Sequence, residues 1–209
     1  KLNRLLKSRT EAIFSSYLEE SPVSSYPVRE IFFQNARVRK EIKTIIFLGG
    51  SQGATAINNY AMKIAPFLKE KDIKIIHQCG TRDEEKLKKF YQKEQIDVEL
   101  FAFSTELESK IKEADFAICR AGASTLWELC ASNLPALYIP YPYAAADHQF
   151  YNADFLAKKN LSFVKREKDL SVEDLDLIFD CNLGNISSGL KKLIQPNGAK
   201  EIVDFILFR

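Results

Sequence analysis

Residues 45–60 read IIFLGGSQGATAINNY. An apolar run ends in a Gly-Gly pair, a small polar loop follows, and the next residues have the composition of a helix start. A short apolar run bounded by glycine suits a buried strand, and Gly49 and Gly50 at its end allow positive φ and close backbone approach. Residues 51–54 would then present backbone amides at a helix N-terminus, a place that attracts anions. The loop lacks the G-K-[ST] ending of a Walker A motif and the full G-x-G-x-x-G of a dinucleotide site. Taken alone it fits a phosphate cradle and a plain βα turn equally well.

The same alternation continues outward from this loop. β-type runs fall at KTIIFLG (43–49), DIKIIHQ (72–78), VELFAF (98–103), DFAICR (115–120), PALYIP (135–140) and LSFVK (161–165). Helices are expected between them from near Gly53, Asp83, Thr105, Ser124 and Asp147, several with polar residues suited to an N-cap. Repeated βα units specify an α/β fold, a Rossmann-like doubly wound parallel sheet with right-handed crossovers. After Ser171 only helices are expected: SVEDLDLIFD (171–180), a Gly/Asn/Ser-rich break, and an amphipathic segment from Pro196. The first forty residues have no sheet of their own, and LNRLLKSRTEAIFSSYLEE (2–20) reads as a basic helix plus a short strand. They are expected to be the tail of a preceding domain and its linker, with PVREIFF (27–33) entering the domain that follows. The chain starts at Lys1 and its sole methionine is Met62, so a fragment or processed chain is expected.

Two further loops carry chemistry. CRAGASTLWELC (119–130) is another strand-to-helix junction, in which Ser124 or Thr125 could cap the helix and Glu128 lies one turn on. Thr125 and Glu128 have the S/T-x-x-E spacing of a capping box, but a carboxylate at such a crevice can instead accept from ribose hydroxyls. YIPYPYAAADHQFYNADFLAKK (138–159) runs from a strand through a proline-rich connection into a helix. There Asp147 reads as an N-cap, and Gln149 can donate and accept, which suits a sugar hydroxyl. In an open parallel sheet the loops at strand C-termini meet at the switch-point crevice. Three such loops, two bearing glycine and all carrying polar donors, point to a nucleotide-type ligand.

Other features exclude alternatives. The 209 residues are 46% hydrophobic, and 30 Lys plus Arg against 28 Asp plus Glu leave a net charge of +2, so nothing suggests a protein built to neutralise nucleic acid. No apolar stretch is long enough to span a bilayer and no signal-peptide h-region is visible, which reads as a cytoplasmic protein. Cys79, Cys119, Cys130 and Cys181 lack metal-ligand spacing and read as small hydrophobes in a reducing compartment. His77 reads as structural, lining the crevice at most, and neither it nor His148 sits beside a nucleophile and an orienting carboxylate. Asp174-Leu175-Asp176 has a D-x-D look but reads as a solvated helix face. No metal and no cofactor are expected.

YPVR (26–29), GGSQGA (49–54), HQCG (77–80), RAGASTLWEL (120–129) and DHQFYNA (147–153), in this order and spacing, resemble the C-terminal part of the MurG family of GT-B glycosyltransferases. Members move N-acetylglucosamine from UDP-GlcNAc to undecaprenyl-diphosphate-muramoyl-pentapeptide (lipid I) in peptidoglycan biosynthesis. The resemblance implies the C-terminal domain of a GT-B fold with a remnant of the N-terminal domain: residues 1–25 as the tail of the acceptor domain and linker, residues 26–209 as the UDP-GlcNAc-binding domain. It implies that Ser51, Gln52 and the amides around Gly53 meet the diphosphate with Arg29 nearby, and that Phe103 and Ser104 read uracil largely through backbone groups. Ala123, Ser124 and Thr125 would approach the α-phosphate and ribose, Glu128 would accept from the ribose hydroxyls, and Gln149 and His148 would hold hydroxyls of the GlcNAc ring. The loop YPYAAA before Asp147 departs from some relatives in length and polarity.

The family's G-G-T-G-G-H type loop is absent from these 209 residues. The expectation is therefore a chain that binds the donor without transferring it alone, with the general base and lipid I supplied by the other domain, and with the full-length protein peripheral on the cytoplasmic face of the inner membrane. A UDP-sugar hydrolase or epimerase of a related GT-B branch, or a separately encoded donor-binding subunit, would use the same nucleotide site.

Overall fold

A computed structural model describes residues 10–17, 21–23, 25–50 and 53–208. Six strands, β1 (Thr44–Leu48), β2 (Lys74–Gln78), β3 (Val98–Phe101), β4 (Phe116–Cys119), β5 (Ala136–Tyr138) and β6 (Phe163–Val164), form one sheet in the order β3-β2-β1-β4-β5-β6. Every pairing is parallel. This is the doubly wound Rossmann-like arrangement expected from the alternation, with its switch point between β1 and β4.

Each strand of the sheet's middle is buried because helices cover both faces, which is why β1 reads as an unbroken apolar run. Its side chains still alternate. Ile46 and Leu48 join one core with helices α1 (Glu30–Gln34), α4 (Leu107–Glu113), α5 (Ala123–Ala131), α6 (His148–Ala157) and α8 (Leu183–Leu193). Ile45 and Phe47 join the other with α2 (Thr55–Glu70), α3 (Glu84–Lys93) and α7 (Asp174–Phe179). Along α2 the buried residues Ile57, Tyr60, Ala61, Ile64, Ala65 and Leu68 recur at three- and four-residue steps, the stripe a sheet-covering helix requires.

Sequence and structure part at several places. The N-terminal helix and strand expected over residues 2–20 lie partly outside the described residues, and residues 10–17 are neither. Tyr17 instead packs on the domain, its hydroxyl accepting from Trp127 Nε1 at 3.1 Å. The Gly/Asn/Ser-rich break is in fact α8: Leu183, Ile186 and Leu190 are buried at helical spacing, and Asn182 Oδ1 accepts from the Asn185 amide at 3.0 Å. The last helix, α9 (Gly198–Leu207), leaves Val203, Ile206 and Leu207 exposed and meets the N-terminal segment through a Phe14–Phe205 edge contact at 5.3 Å.

Asp174 is not on a solvated face. It is buried, accepts from the Ser171 amide at 2.9 Å and pairs with Lys165 at 2.9 Å, and no His/Cys/Asp/Glu group among the described residues could hold a metal.

His77 is structural but does not line the crevice. It is fully buried between Tyr91 Oη (2.9 Å from Nδ1) and Asn58 Oδ1 (3.1 Å from Nε2), and burial pulls its pKa down to about 3. Unfolding returns it to an ordinary value near 6.5, so the unfolded chain binds the extra proton first. This contribution to stability is therefore whole above pH 6.5 and lost as pH falls toward 3. Urea unfolding across pH 6.5 to 4 is expected to show it as a loss of up to about 1.4 kcal/mol per pH unit. His77→Gln, whose amide can still meet both partners, is expected to flatten that slope.

Candidate functional site

The crevice is built from the pairing of β1 with β4. Leu48 pairs with Cys119, so the loops that follow these strands start side by side and their helices leave on opposite faces of the sheet. Gly49 continues the ladder by donating to Gln78 O at 2.9 Å. The loop then turns through Gly50 (φ 75°) and Gly53 (φ 78°). Only glycine fits at 53, because a Cβ there would lie 2.6 Å from the carbonyl oxygen of Cys79.

Both helices at this switch point begin without a side-chain cap. Ala54 stands at the N-cap of α2 and Gly122 at that of α5. Neither offers an oxygen, so the first-turn amides of both helices, with the positive ends of their dipoles, open toward the crevice. This corrects the polar cap expected for α5 from Ser124 or Thr125, and it removes the capping box from Thr125 and Glu128, since both Ser124 and Thr125 already lie inside α5. The Glu128 carboxylate instead accepts from the Ser124 hydroxyl at 2.9 Å through Oε1, which orients the side chain along the crevice edge.

The third loop carries two consecutive left-handed residues, Ala146 (φ 50°) and Asp147 (φ 55°), just before α6. For residues other than glycine this costs about 1–2 kcal/mol each. Asp147 occupies the N-cap position of α6 but caps nothing, in contrast to the expectation. Both its oxygens accept from Arg166, at 2.8 and 2.6 Å, and this pairing holds the carboxyl below its usual range. Gln149 Oε1 accepts from the Tyr141 amide at 2.9 Å, so its NH2 is the end left to meet a ligand. His148 Nδ1 is 2.9 Å from Ala145 O.

The loop separates two grooves. Pro140, Tyr143 and Arg166 line a cleft of about 920 Å³ with Asn59 and Lys63 of α2. His148 lies in the other, about 420 Å³, with Tyr17 and Tyr151. Gln149 lines neither groove.

Of the remaining expected residues, Ser51 and Gln52 lie outside the described residues. Ala123, Ser124 and Thr125 form the first turn of α5 at the crevice. Phe103 is 62% exposed on the loop after β3, where the Ser104 hydroxyl accepts from the Glu106 amide at 3.0 Å. Arg29 precedes α1; its guanidinium bonds Glu108 of α4 at 3.1 Å and lies over the Phe32 ring at 5.1 Å, which ties it to the β3–α4 side.

Three residues of the site were given no role from sequence. Asn152, one turn after Gln149, donates to Ala121 O at 3.0 Å and fastens α6 to the β4–α5 loop; its spacing from Gln149 was a usable signal. Arg120 and Arg166 act across 19 or more residues; Arg120 stands in the R-A-G-A-S-T junction, whereas no local pattern marks Arg166.

Residues 44–182 match the model of the glycosyltransferase family 28 C-terminal domain. The chain belongs to glycosyltransferase family 28. Among its curated relatives are proteins of Sulfurovum sp. (strain NBC37-1), 51% identical over 98% of this chain, and of Campylobacter jejuni (strain RM1221), 51% identical over 99%. Both are named UDP-N-acetylglucosamine--N-acetylmuramyl-(pentapeptide) pyrophosphoryl-undecaprenol N-acetylglucosamine transferase. The chain spans 61% and 60% of their lengths. A crystal structure of Acinetobacter baumannii MurG superposes with a TM-score of 0.80 at 26% identity, over the whole of this chain and 63% of that one. The glycosyltransferase SnogD from Streptomyces nogalater, at 16% identity and a TM-score of 0.59 over 79% of this chain and 43% of its own, shares the fold. In this family 28 chain no helix among the described residues is long and apolar enough to cross a membrane.

Proposed function

We propose that this chain is the donor-binding part of an inverting N-acetylglucosaminyltransferase that takes UDP-GlcNAc and delivers the sugar to lipid I, an undecaprenyl-diphosphate-linked muramoyl-pentapeptide. The observation that carries this reading is the pair of uncapped helix N-termini side by side at the β1/β4 switch point. Two such ends converging with a glycine loop form a site for a diphosphate. The names of the relatives supply the sugar and the acceptor. On this reading residues 1–25 close the acceptor domain, residues 26–209 hold the donor, and the full-length protein works at the cytoplasmic face of the membrane, where a polyprenyl acceptor resides.

In the reaction an acceptor hydroxyl attacks the anomeric carbon. The new C–O bond forms as the bond to the UDP oxygen breaks, the acceptor proton leaves to a base, and the centre inverts. The amides of α2 and α5 stabilise charge growing on the departing diphosphate, in place before the reaction and without reorganisation. Glu128 and Gln149 hold ribose and sugar so that the anomeric carbon faces the acceptor. On this reading the base that takes the proton belongs to the other domain.

Calorimetric titration tests the site. UDP-GlcNAc is expected to bind more tightly than UDP, and ADP not to bind. Equal binding of all three, or none, would overturn the reading.

A further inference from the structure

We propose that the Arg166–Asp147 pair is a positioning clasp that holds the turn before α6 in its left-handed form and thereby sets the preference for a sugar-bearing nucleotide over the bare diphosphate. The inference rests on the crevice being a UDP-sugar site.

Locally the turn is closed by the Asp147 amide on Ala144 O at 2.9 Å and by His148 on Ala145 O, bonds that involve no side chain of the two left-handed residues. Ala146 has no polar side chain, and the Asp147 carboxylate bonds neither the helix nor its own backbone, although Asp in a left-handed conformation is ordinarily helped by such a local bond. Both oxygens go instead to the fork of Arg166, at 2.8 and 2.6 Å. Arg166 is itself anchored. It follows β6, and the preceding Lys165 amide extends that strand's pairing by donating to Tyr138 O at 3.0 Å. One face of its guanidinium lies over the Phe150 ring at 4.2 Å. A planar, two-point contact of this kind fixes an angle as well as a distance, which a single ammonium does not.

The other end of the loop is held the same way. Arg120, directly after β4, donates to the carbonyls of Ile139 (3.1 Å) and Pro140 (3.3 Å), lies over the Tyr141 ring at 5.4 Å, and pairs with Glu167 at 2.6 Å. Glu167 is the neighbour of Arg166, so the two arginines and two carboxylates knit the β5–α6 loop to the segment after β6. Gln149 lies two residues beyond Asp147, and its oxygen bonds the Tyr141 amide. The place of its NH2 is therefore fixed by the clasp at one end of the loop and by Arg120 at the other. Without the clasp, residues 146 and 147 are free to return to ordinary backbone angles and turn the first residues of α6 away from the sugar.

The test measures UDP and UDP-GlcNAc binding to the full-length protein and to Arg166→Lys, Asp147→Asn and their double variant. Each single variant is expected to lose about tenfold in affinity for UDP-GlcNAc, while affinity for UDP stays within about twofold. The double variant should be no worse than the weaker single one, as for two halves of one contact. Adding Ala146→Gly to Arg166→Lys, which removes the Cβ that makes the left-handed turn costly, should recover part of the loss. Equal losses for both ligands, or none, would overturn the clasp while leaving the nucleotide site standing. Failure of the unaltered protein to bind either ligand would overturn the nucleotide reading itself, and the clasp with it.

Discussion

Replacing Arg39 with methionine is expected to lower the free energy of unfolding by about 3–5 kcal/mol, because several buried backbone carbonyls then lose their donor at about 1–3 kcal/mol each with partial relaxation. Arg39 is fully buried, and among the described residues no carboxylate is bonded to it. Its guanidinium donates to the carbonyls of Ala114 (3.1 Å), Ile111 (3.1 Å) and Arg37 (2.8 Å), and to that of Ser132. Ile111 and Ala114 end α4, and Ser132 is the C-cap of α5. These are the orphan carbonyls that a helix C-terminus leaves, and they carry the negative end of its dipole. Arg37 covers the others of α4, bonding Lys112 O and Glu113 O at 3.0 Å each.

Burial, with Arg37 alongside, pulls the Arg39 guanidinium down to about 9, so it stays charged at neutral pH. In some proteins a buried ion pair can be exchanged whole for apolar residues without loss. That route is closed here, because the partners are backbone carbonyls and remain whatever side chain replaces Arg39. Methionine approximates the volume and leaves the carbonyls unsatisfied. Urea unfolding of this chain, followed by the fluorescence of the buried Trp127, reads the effect as a lower midpoint at an unchanged slope. A loss below about 1 kcal/mol would mean that water replaces the guanidinium and that the contact is not what joins α4 to α5.

The sheet was legible because strands buried on both faces appear as short apolar runs between turns, and all six fall where those runs are. The starts of the five helices between the strands were legible to within two residues, as with α2 at Thr55 and α6 at His148. The caps were not. Ala54 is a poor cap by intrinsic preference, and Gly122, although glycine is accepted at that position, brings no side-chain oxygen; polar neighbours such as Ser124 seemed better, and a helix end left open for a ligand, as proposed for this crevice, breaks the local rule. The stretch around α8 was hidden by its two glycines, its asparagines and its serines. Tertiary packing explains two of them. Leu161 presses on the space a Cβ at Gly189 would take, and the buried Ser187 hydroxyl donates to Asn133 O at 2.7 Å while accepting from the Arg39 amide at 3.0 Å.

What sequence could not give is pairing at a distance. Arg39 reaches Ser132 and Arg166 reaches Asp147 only because the sheet brings them together. The crevice residues were readable as loops of small polar composition, but the left-handed turn at Ala146 carries no glycine to announce it.

Glu128→Ala is expected to weaken UDP and UDP-GlcNAc alike by roughly 30- to 100-fold, as the loss of hydrogen bonds from a carboxylate to ribose implies. Ser124 engages Oε1, so on the proposed reading Oε2 and the second lone pair of Oε1 would meet the two ribose hydroxyls. Alanine at 128 keeps α5 intact, since it is a good helix former, and so separates binding from folding. The ribose assignment is tested more sharply by a ligand change than by the mutation alone. The unaltered protein should bind 2′-deoxy-UDP about tenfold more weakly than UDP, and Glu128→Ala should bind the two nearly equally, because the missing hydroxyl then has no partner left to lose. Ser124→Ala, which only frees the carboxylate to rotate, should cost a few-fold and keep the preference for the hydroxyl. If Glu128→Ala weakened both ligands yet still discriminated between them, the carboxylate would be acting on the loop and not on the sugar. The ribose partner would then have to be sought among the amides of α5.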